Sequence, residues 1–440
     1  MKQILFIFFW ALSFIVYSQT NITGGIFSNQ TWTKANSPYT ITGNTTVFPN
    51  VVLTIEPGVV VKFTDNIDFT VRGTLNINGA ANDSIVFTAA TINTSYPNQS
   101  WKSVVTDIGQ GGTIRAQYLI CEYSYYAFIV YTGTSSNMIY NFIHSTFRNN
   151  SNCISSNGYV GGNTSSVTYC TFLNNGLSTS ELENATIDHC LFKGGQLGVH
   201  SNLTTRVTNC EFSDLDMGFY LLGGSVENCY IHHCIAGAAL LPNQSITNSR
   251  FEYNEIAFKG VYPIKFSTSI HNNVICGNIY GAKGNNAYPL SLANNCWCIE
   301  STDIPSVIYD AYDDVSLGII SYDPVLTGCT ITPPPATPPV TPPVTPPVTP
   351  PVTPPVTTAI FPQSTNKNKL HVFPNPTTQM LYFDVAIKNA TVTIYTPDSK
   401  IIDQKKVNAA QIDVSELFSG YYIISIQTEN DIFHSTFIKQ

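Results

Sequence analysis

The chain has 440 residues, room for two to four domains. Only 11% of them are charged, the formal net charge is −8, and no Lys or Arg cluster forms, which excludes a nucleic-acid-binding surface. The abundance of Asn, Thr, Ser, Gly and Tyr instead suits a long β structure with hydroxyls and amides on its exterior.

Residues 1–18 read as an export leader. Met1-Lys2-Gln3 precedes an apolar run at 4–16 that is too short for a membrane span, and Val16 and Ser18 place small side chains at the −3 and −1 sites. Cleavage after Ser18 leaves Gln19 first. No later stretch reaches transmembrane length, so the expectation is an exported, soluble chain.

Between 39 and 89, period-two strands are broken by Pro57-Gly58 and single glycines, at 52–63, 71–79 and 85–89. Trp101 and a glycine-rich turn at 109–112 lead into the main repeat. From 118 to 282 one phrase is written eight times: apolar, any, polar, small or polar, any, aromatic or Ile. It occupies 118–123, 142–147, 167–172, 187–192, 207–212, 226–231, 246–251 and 270–275. Its last position steps by 24, 25, 20, 20, 19, 20 and 24 residues. A period near twenty with variable insertions predicts a solenoid, and the density of Asn, Gly and Thr excludes a helical one.

Side chains alternate along a strand, so the fourth and sixth positions of each phrase share a face. Cys121 with Tyr123 is the first such pair. Cys170, Cys190, Cys210 and Cys229, with Phe172, Phe192, Phe212 and Phe251, are the predicted core columns. Neighbouring parallel turns hold equivalent Cβ atoms about 4.8 Å apart, beyond the roughly 3.5–4.5 Å of a disulfide. The four thiols are therefore expected to stay reduced, as a buried ladder of small hydrophobes. At the third position, Asn209, Asn228, Asn248 and Asn272 follow His144, Tyr169 and His189, a column suited to left-handed bends. Eleven cysteines cannot all pair. Off the ladder lie Cys153, Cys234, Cys276, Cys296, Cys298 and Cys329, with Cys298 to Cys329 one bridge among the options. Cys296-Trp297-Cys298 lacks the Cys-x-x-Cys spacing of zinc or redox sites.

This text resembles the parallel β-helix proteins. The opening at 52–89 looks like their first turns. Asn294-Asn295-Cys296-Trp297-Cys298, the acids Asp310, Asp313 and Asp314, and Pro324-Val325-Leu326 resemble their closing motif, with Cys298 where that motif has Gly. The resemblance implies an all-β fold, a right-handed parallel β-helix over 19–331. Residues 332–358 then repeat Thr-Pro-Pro-Val. Such a segment buries nothing and holds polyproline II, a Pro-rich linker of roughly 80 Å if fully extended.

Beyond it, 359–440 alternates like half-buried strands at 371–377, 381–385, 392–395, 412–417, 420–426 and 437–439. Pro374-Asn375-Pro376, the turn from Leu417 through Gly420 to Tyr422, and Lys439 resemble the C-terminal sorting domain of the type IX secretion system. Ser399 and Gln440 depart from that family's usual Gly and paired Lys. The resemblance implies a small β-sandwich, the type IX machinery at the outer membrane as partner, and a secreted or surface-attached product.

For chemistry, Glu211, Asp214 and Asp216 are the candidate catalytic acids, with Asp188, Glu227, Arg206 and Arg250 nearby. Only Asp188 and Glu227 share a column, two turns apart, so solvated turn residues weigh more than a catalytic pair. His232 and His233 are expected to point apart, as strand neighbours do, and no metal site is assigned. Asp310, Asp313 and Asp314 fit either Ca²⁺ or a structural cap, the cap being favoured; no other cofactor is implied. Tyr123, Tyr125, Tyr126, Phe128 and Tyr131 form the densest aromatic cluster and suit sugar stacking as well as core filling. The reading that results is a non-catalytic glycan-binding or adhesive surface module. A β-helix polysaccharide lyase or glycoside hydrolase and a structural stalk are the alternatives.

Overall fold

A strand of period two has one apolar side, and a short strand cannot cover that side alone. In residues 19–329 the covering comes from coiling. The structure, a computed structural model, describes residues 19–107, 111–131, 139–157, 165–203, 205–261, 268–285, 287–329, 372–373, 377, 379–383, 390–395, 401–407, 411–417, 420–428 and 432–439. The leader with Ser18, the linker 332–358, and Pro374, Asn375 and Pro376 lie outside the described residues. Contacts divide the chain into two units, one up to Pro346 and one from Pro347.

In the first unit, one strand per turn builds an eleven-stranded sheet from Gln30–Trp32 to Ser269–His271. A twenty-stranded sheet supplies two further faces, because strands such as Thr171–Glu183, Leu191–Leu203 and Glu211–Leu221 run through a corner. The ladders are parallel, and the result is a parallel β-helix. Inside, Phe147, Phe172, Phe192 and Phe212 stack face to face, with ring centroids 5.0, 4.7 and 4.7 Å apart. Ile231 and Phe251 continue this buried column.

The first phrase is displaced from the rest. Cys121, not Tyr123, pairs with Phe147, and on its other side with Phe87. Cys121 fills the aromatic slot, while Tyr123 turns the corner at φ 64°. A slip of two residues leaves every side chain on its own face, so alternation alone does not detect it.

Cys170, Cys190, Cys210 and Cys229 are buried and unbridged. Their slot is more than apolar filler, because Ser145 opens the same column and Ser249, Asn273 and Asn295 close it. Each member accepts the backbone N–H of the member before it. Cys190 N–H donates to Cys210 Sγ and Cys210 N–H to Cys229 Sγ, both at 3.4 Å. Cys229 N–H reaches Ser249 Oγ at 3.1 Å, Ser249 N–H reaches Asn273 Oδ1 at 3.0 Å, and Asn273 N–H reaches Asn295 Oδ1 at 2.9 Å. Just before this column, His144, Tyr169, His189, Asn209, Asn228, Asn248 and Asn272 take φ values between 49° and 59°. The bend directs each N–H onto the next turn, as in Tyr169 N–H to the Asp188 carbonyl at 3.0 Å.

At the end of the helix the bridges are Cys276–Cys298 and Cys296–Cys329, with Cα separations of 5.4 and 5.6 Å, and not Cys298 to Cys329. The pairing follows the turns, since Val274 bridges Cys296 and so brings Cys276 beside Cys298. Cys153 and Cys234 stay unpaired. Asp310 is buried and caps the closing segment, its carboxylate accepting the N–H of Tyr312 at 3.0 Å and of Ile320 at 2.7 Å.

The second unit is two antiparallel sheets of three and four strands around Leu381, Val392, Ile412, Ile424, Ile426 and Phe437. Gly420 pairs with Lys439, Tyr422 packs on Phe437 at 5.5 Å, and Lys439 is buried. One strand here, Ile401–Val407, was not among those the sequence pattern predicts; its text, Ile-Ile-Asp-Gln-Lys-Lys-Val, alternates poorly. Among the described residues no helix is long and apolar enough to cross a membrane.

Candidate functional site

The corner between the second and third faces gathers most of the chain's chemistry. In its later turns this corner runs through Gly194, Asp214, His233, Tyr253 and Gly277, all at positive φ. The three candidate acids go to different places there. Glu211 Oε1 lies 3.3 Å from His232 Nε2, and Asp214 faces Lys193 at 3.6 Å. Asp216 is exposed, and partial desolvation holds its carboxyl above the usual aspartate value. Among the described residues Glu211 and Asp214 thus have different ion-pair partners.

His232 and His233, expected to point apart, meet with their Nδ1 atoms 2.7 Å apart. The left-handed φ of 54° at His233 swings its ring back toward its neighbour. Tyr230 stacks on His232 with centroids 4.2 Å apart, and burial and then the Glu252 carboxylate push its phenol up to about 12. A phenol so raised is a poor base near neutrality. Arg250 is ion-paired with Glu252, which keeps that carboxylate occupied.

On the first face, Asp188 and Glu227 stand on either side of Thr208 in one column. Asp188 accepts Thr208 Oγ1 at 2.6 Å and Asn209 Nδ2 at 2.8 Å, and meets His189 Nδ1 at 2.7 Å. Burial opposes its ionisation, but these hydrogen bonds outweigh burial and hold the carboxyl below the usual value. Glu227 pairs with Arg206 at 3.2 Å.

The earlier turns of the corner are different. Asp65, Asn66, Gln99, Lys102 and Tyr125 line a surface cleft of about 280 Å³ floored by Trp101. Sequence position explains the hollow. Asn66 turns the corner at φ 56°, and the excursion ending in the short 3₁₀ turn Pro97–Gln99 rises beside it, held by Ser151 N–H on the Asn98 carbonyl at 3.0 Å. Trp101 is buried and donates Nε1–H to the Glu122 carbonyl at 2.8 Å, fixing the floor. Lys102 is held by Asp68 at 2.6 Å. Tyr125 is 42% exposed with Tyr126 edge-on beside it, whereas Phe128 of the same cluster is wholly buried. The aromatic cluster therefore divides between core and surface.

One feature was not read from the sequence as a unit. Tyr118, His144, Tyr169 and His189 stack on the outside, with ring centroids 5.1, 5.1 and 4.8 Å apart. The third position of the repeat carries His144, Tyr169 and His189 before Asn takes over, and Tyr118 joins them once the first phrase is shifted by two residues.

Residues 371–440 match the family model of the secretion system C-terminal sorting domain. This agrees with the resemblance of the tail to type IX sorting domains. No curated protein matches the chain.

Proposed function

Because the chain ends in a type IX sorting domain, which sends it to the cell surface or the medium, we propose that its β-helix is a non-catalytic glycan-binding module. The cleft at Tyr125 carries this reading. It offers one exposed aromatic ring, two amides at Asn66 and Gln99, a carboxylate at Asp65 with no ion pair among the described residues, and an ammonium already paired with Asp68. Rings with amides and few net charges suit neutral sugars, whose apolar faces stack and whose hydroxyls take amide bonds. The pairing of Glu211 with His232 and of Asp214 with Lys193, away from the cleft, favours binding over cleavage.

A glycan array, followed by calorimetry on the best ligand, tests the proposal. Tyr125→Ala is expected to weaken binding about tenfold, equivalent to about 1.4 kcal/mol. Binding at wild-type strength would remove the cleft from the account. Release of reducing sugar by the unaltered protein would instead favour a hydrolase or lyase.

A further inference from the structure

The last turn of the β-helix carries two disulfides that belong to different partners but crowd one spot. The Sγ atoms of Cys276, Cys298 and Cys329 all lie within 4.8 Å of one another, although only Cys276 and Cys298 are bonded to each other. Cys329 is bonded to Cys296. Cys298 is exposed and Cys329 half-buried, while Cys276 and Cys296 are buried against Val274, outside the main core that holds Trp297. A thiolate attacks a disulfide sulfur in line with the S–S bond and expels its partner, so a thiolate must form within reach of that sulfur.

We propose that these four cysteines form a disulfide-exchange clasp, in which a thiol at Cys298 or Cys276 takes over Cys329 from Cys296. The step begins when a small dithiol attacks the exposed Cys298 sulfur. Cys276 leaves as thiolate and takes up a proton; the second thiol of the reagent then closes its own disulfide and releases Cys298 as a thiol. Cys298 loses its proton to solvent and attacks Cys329 Sγ. The Cys298–Cys329 bond forms, the Cys296–Cys329 bond breaks, and Cys296 leaves as thiolate to be protonated. The exchange itself consumes no oxidant or reductant. Residue 329 stays tied to the last turn throughout, so losing one bridge leaves the segment that precedes the Pro-rich stretch still fastened. Of the two, Cys298 is the more exposed and so the more open to an incoming thiol.

Cys276→Ser in the full chain tests this without any reagent, since it places a Cys298 thiol beside the intact Cys296–Cys329 bridge. After incubation at mildly alkaline pH, an acid quench and alkylation, peptide mapping is expected to find the label at both Cys298 and Cys296, together with a Cys298–Cys329 peptide. Label at Cys298 with none at Cys296 or Cys329 would overturn the proposal, the seven thiols of the main core being labelled in either case. Should that variant misfold, the wild-type chain treated with less than one equivalent of dithiothreitol gives the same readout. There a Cys298–Cys329 or Cys276–Cys329 peptide supports exchange, and only Cys276–Cys298 and Cys296–Cys329 with their free thiols refutes it.

Discussion

The middle of the β-helix and its end solve one problem with different side chains. From Phe172 to Ile231 the turns are 20, 20 and 19 residues long, and the same residues sit over one another: Phe on Phe, thiol on thiol. The ladder slot passes from Cys229 to Ser249 and, past Phe251, where the next turn lengthens to 24 residues, to Asn273 and Asn295. Another long step, the 25 residues from Phe147 to Phe172, is likewise pinned by amides, Asn150 N–H reaching Asn175 Oδ1 at 2.9 Å. Equal turns let nondirectional packing hold the register. Unequal turns leave longer excursions to be ordered, and directional bonds from an amide fix where the chain rejoins the stack.

The middle should therefore break hardest at a ring. Phe212 lies against Phe192 with centroids 4.7 Å apart and edge-on to Phe219 at 5.9 Å, with no exposed surface. Phe212→Ala is expected to cost about 3–5 kcal/mol of unfolding free energy in urea titration. A loss within experimental error would mean that the column is not what holds these turns together.

The ladder sharpens the comparison at smaller scale. Asn273 accepts the Ser249 N–H and donates to the Ile246 carbonyl at 2.8 Å and to Asn295 Oδ1 at 3.0 Å, all out of water. Removing it in Asn273→Ala strands buried groups at about 1–3 kcal/mol each. At Cys210 the same slot asks less. Cys210→Ser keeps an acceptor for the Cys190 N–H and is expected to lose less than about 1 kcal/mol, whereas Cys210→Val strands that N–H and should fall in the range of about 1–3 kcal/mol. If Val proves as good as Ser in urea titration, the thiols are filler after all and the two halves of the ladder are unrelated.

How far the sequence could be read follows the same division. The period, the inward face and the bend column were legible because the middle turns repeat with near-constant length, and the tail was legible from Gly420, Tyr422 and Lys439. The ladder's polarity was hidden because Cys is both a small hydrophobe and a weak hydrogen-bonding group; only Ser249 and Asn273 in the same slot disclose the second role. Cys121 was misaligned by two residues, a shift that preserves faces. The meeting of His232 and His233 depended on a left-handed backbone at His233, a residue type that gives little notice of it. The cleft at Tyr125 needed three distant segments, 65–66, 99–102 and 125, and no spacing rule links them.

The smallest expected effect concerns the first face, where Asp188 ties two turns through Thr208 and Asn209. Its carboxyl is held below the ordinary value in the folded chain, so the folded state favours the charged form more than the unfolded state does. The sign follows. The contribution is fully present above the unfolded value of about 3.9 and is lost as pH falls through the lower folded value. Asp188→Asn keeps the shape but cannot ionise. The urea midpoints of wild type and variant should therefore differ most above about pH 4 and converge on further acidification. With the side chain one-quarter exposed, solvent screens the pairing with His189, and the gap should be modest. A gap that stays constant through the acid range would mean that Asp188 acts without its charge, through hydrogen bonds alone, as the uncharged Ser249 and Asn273 of the terminal ladder do.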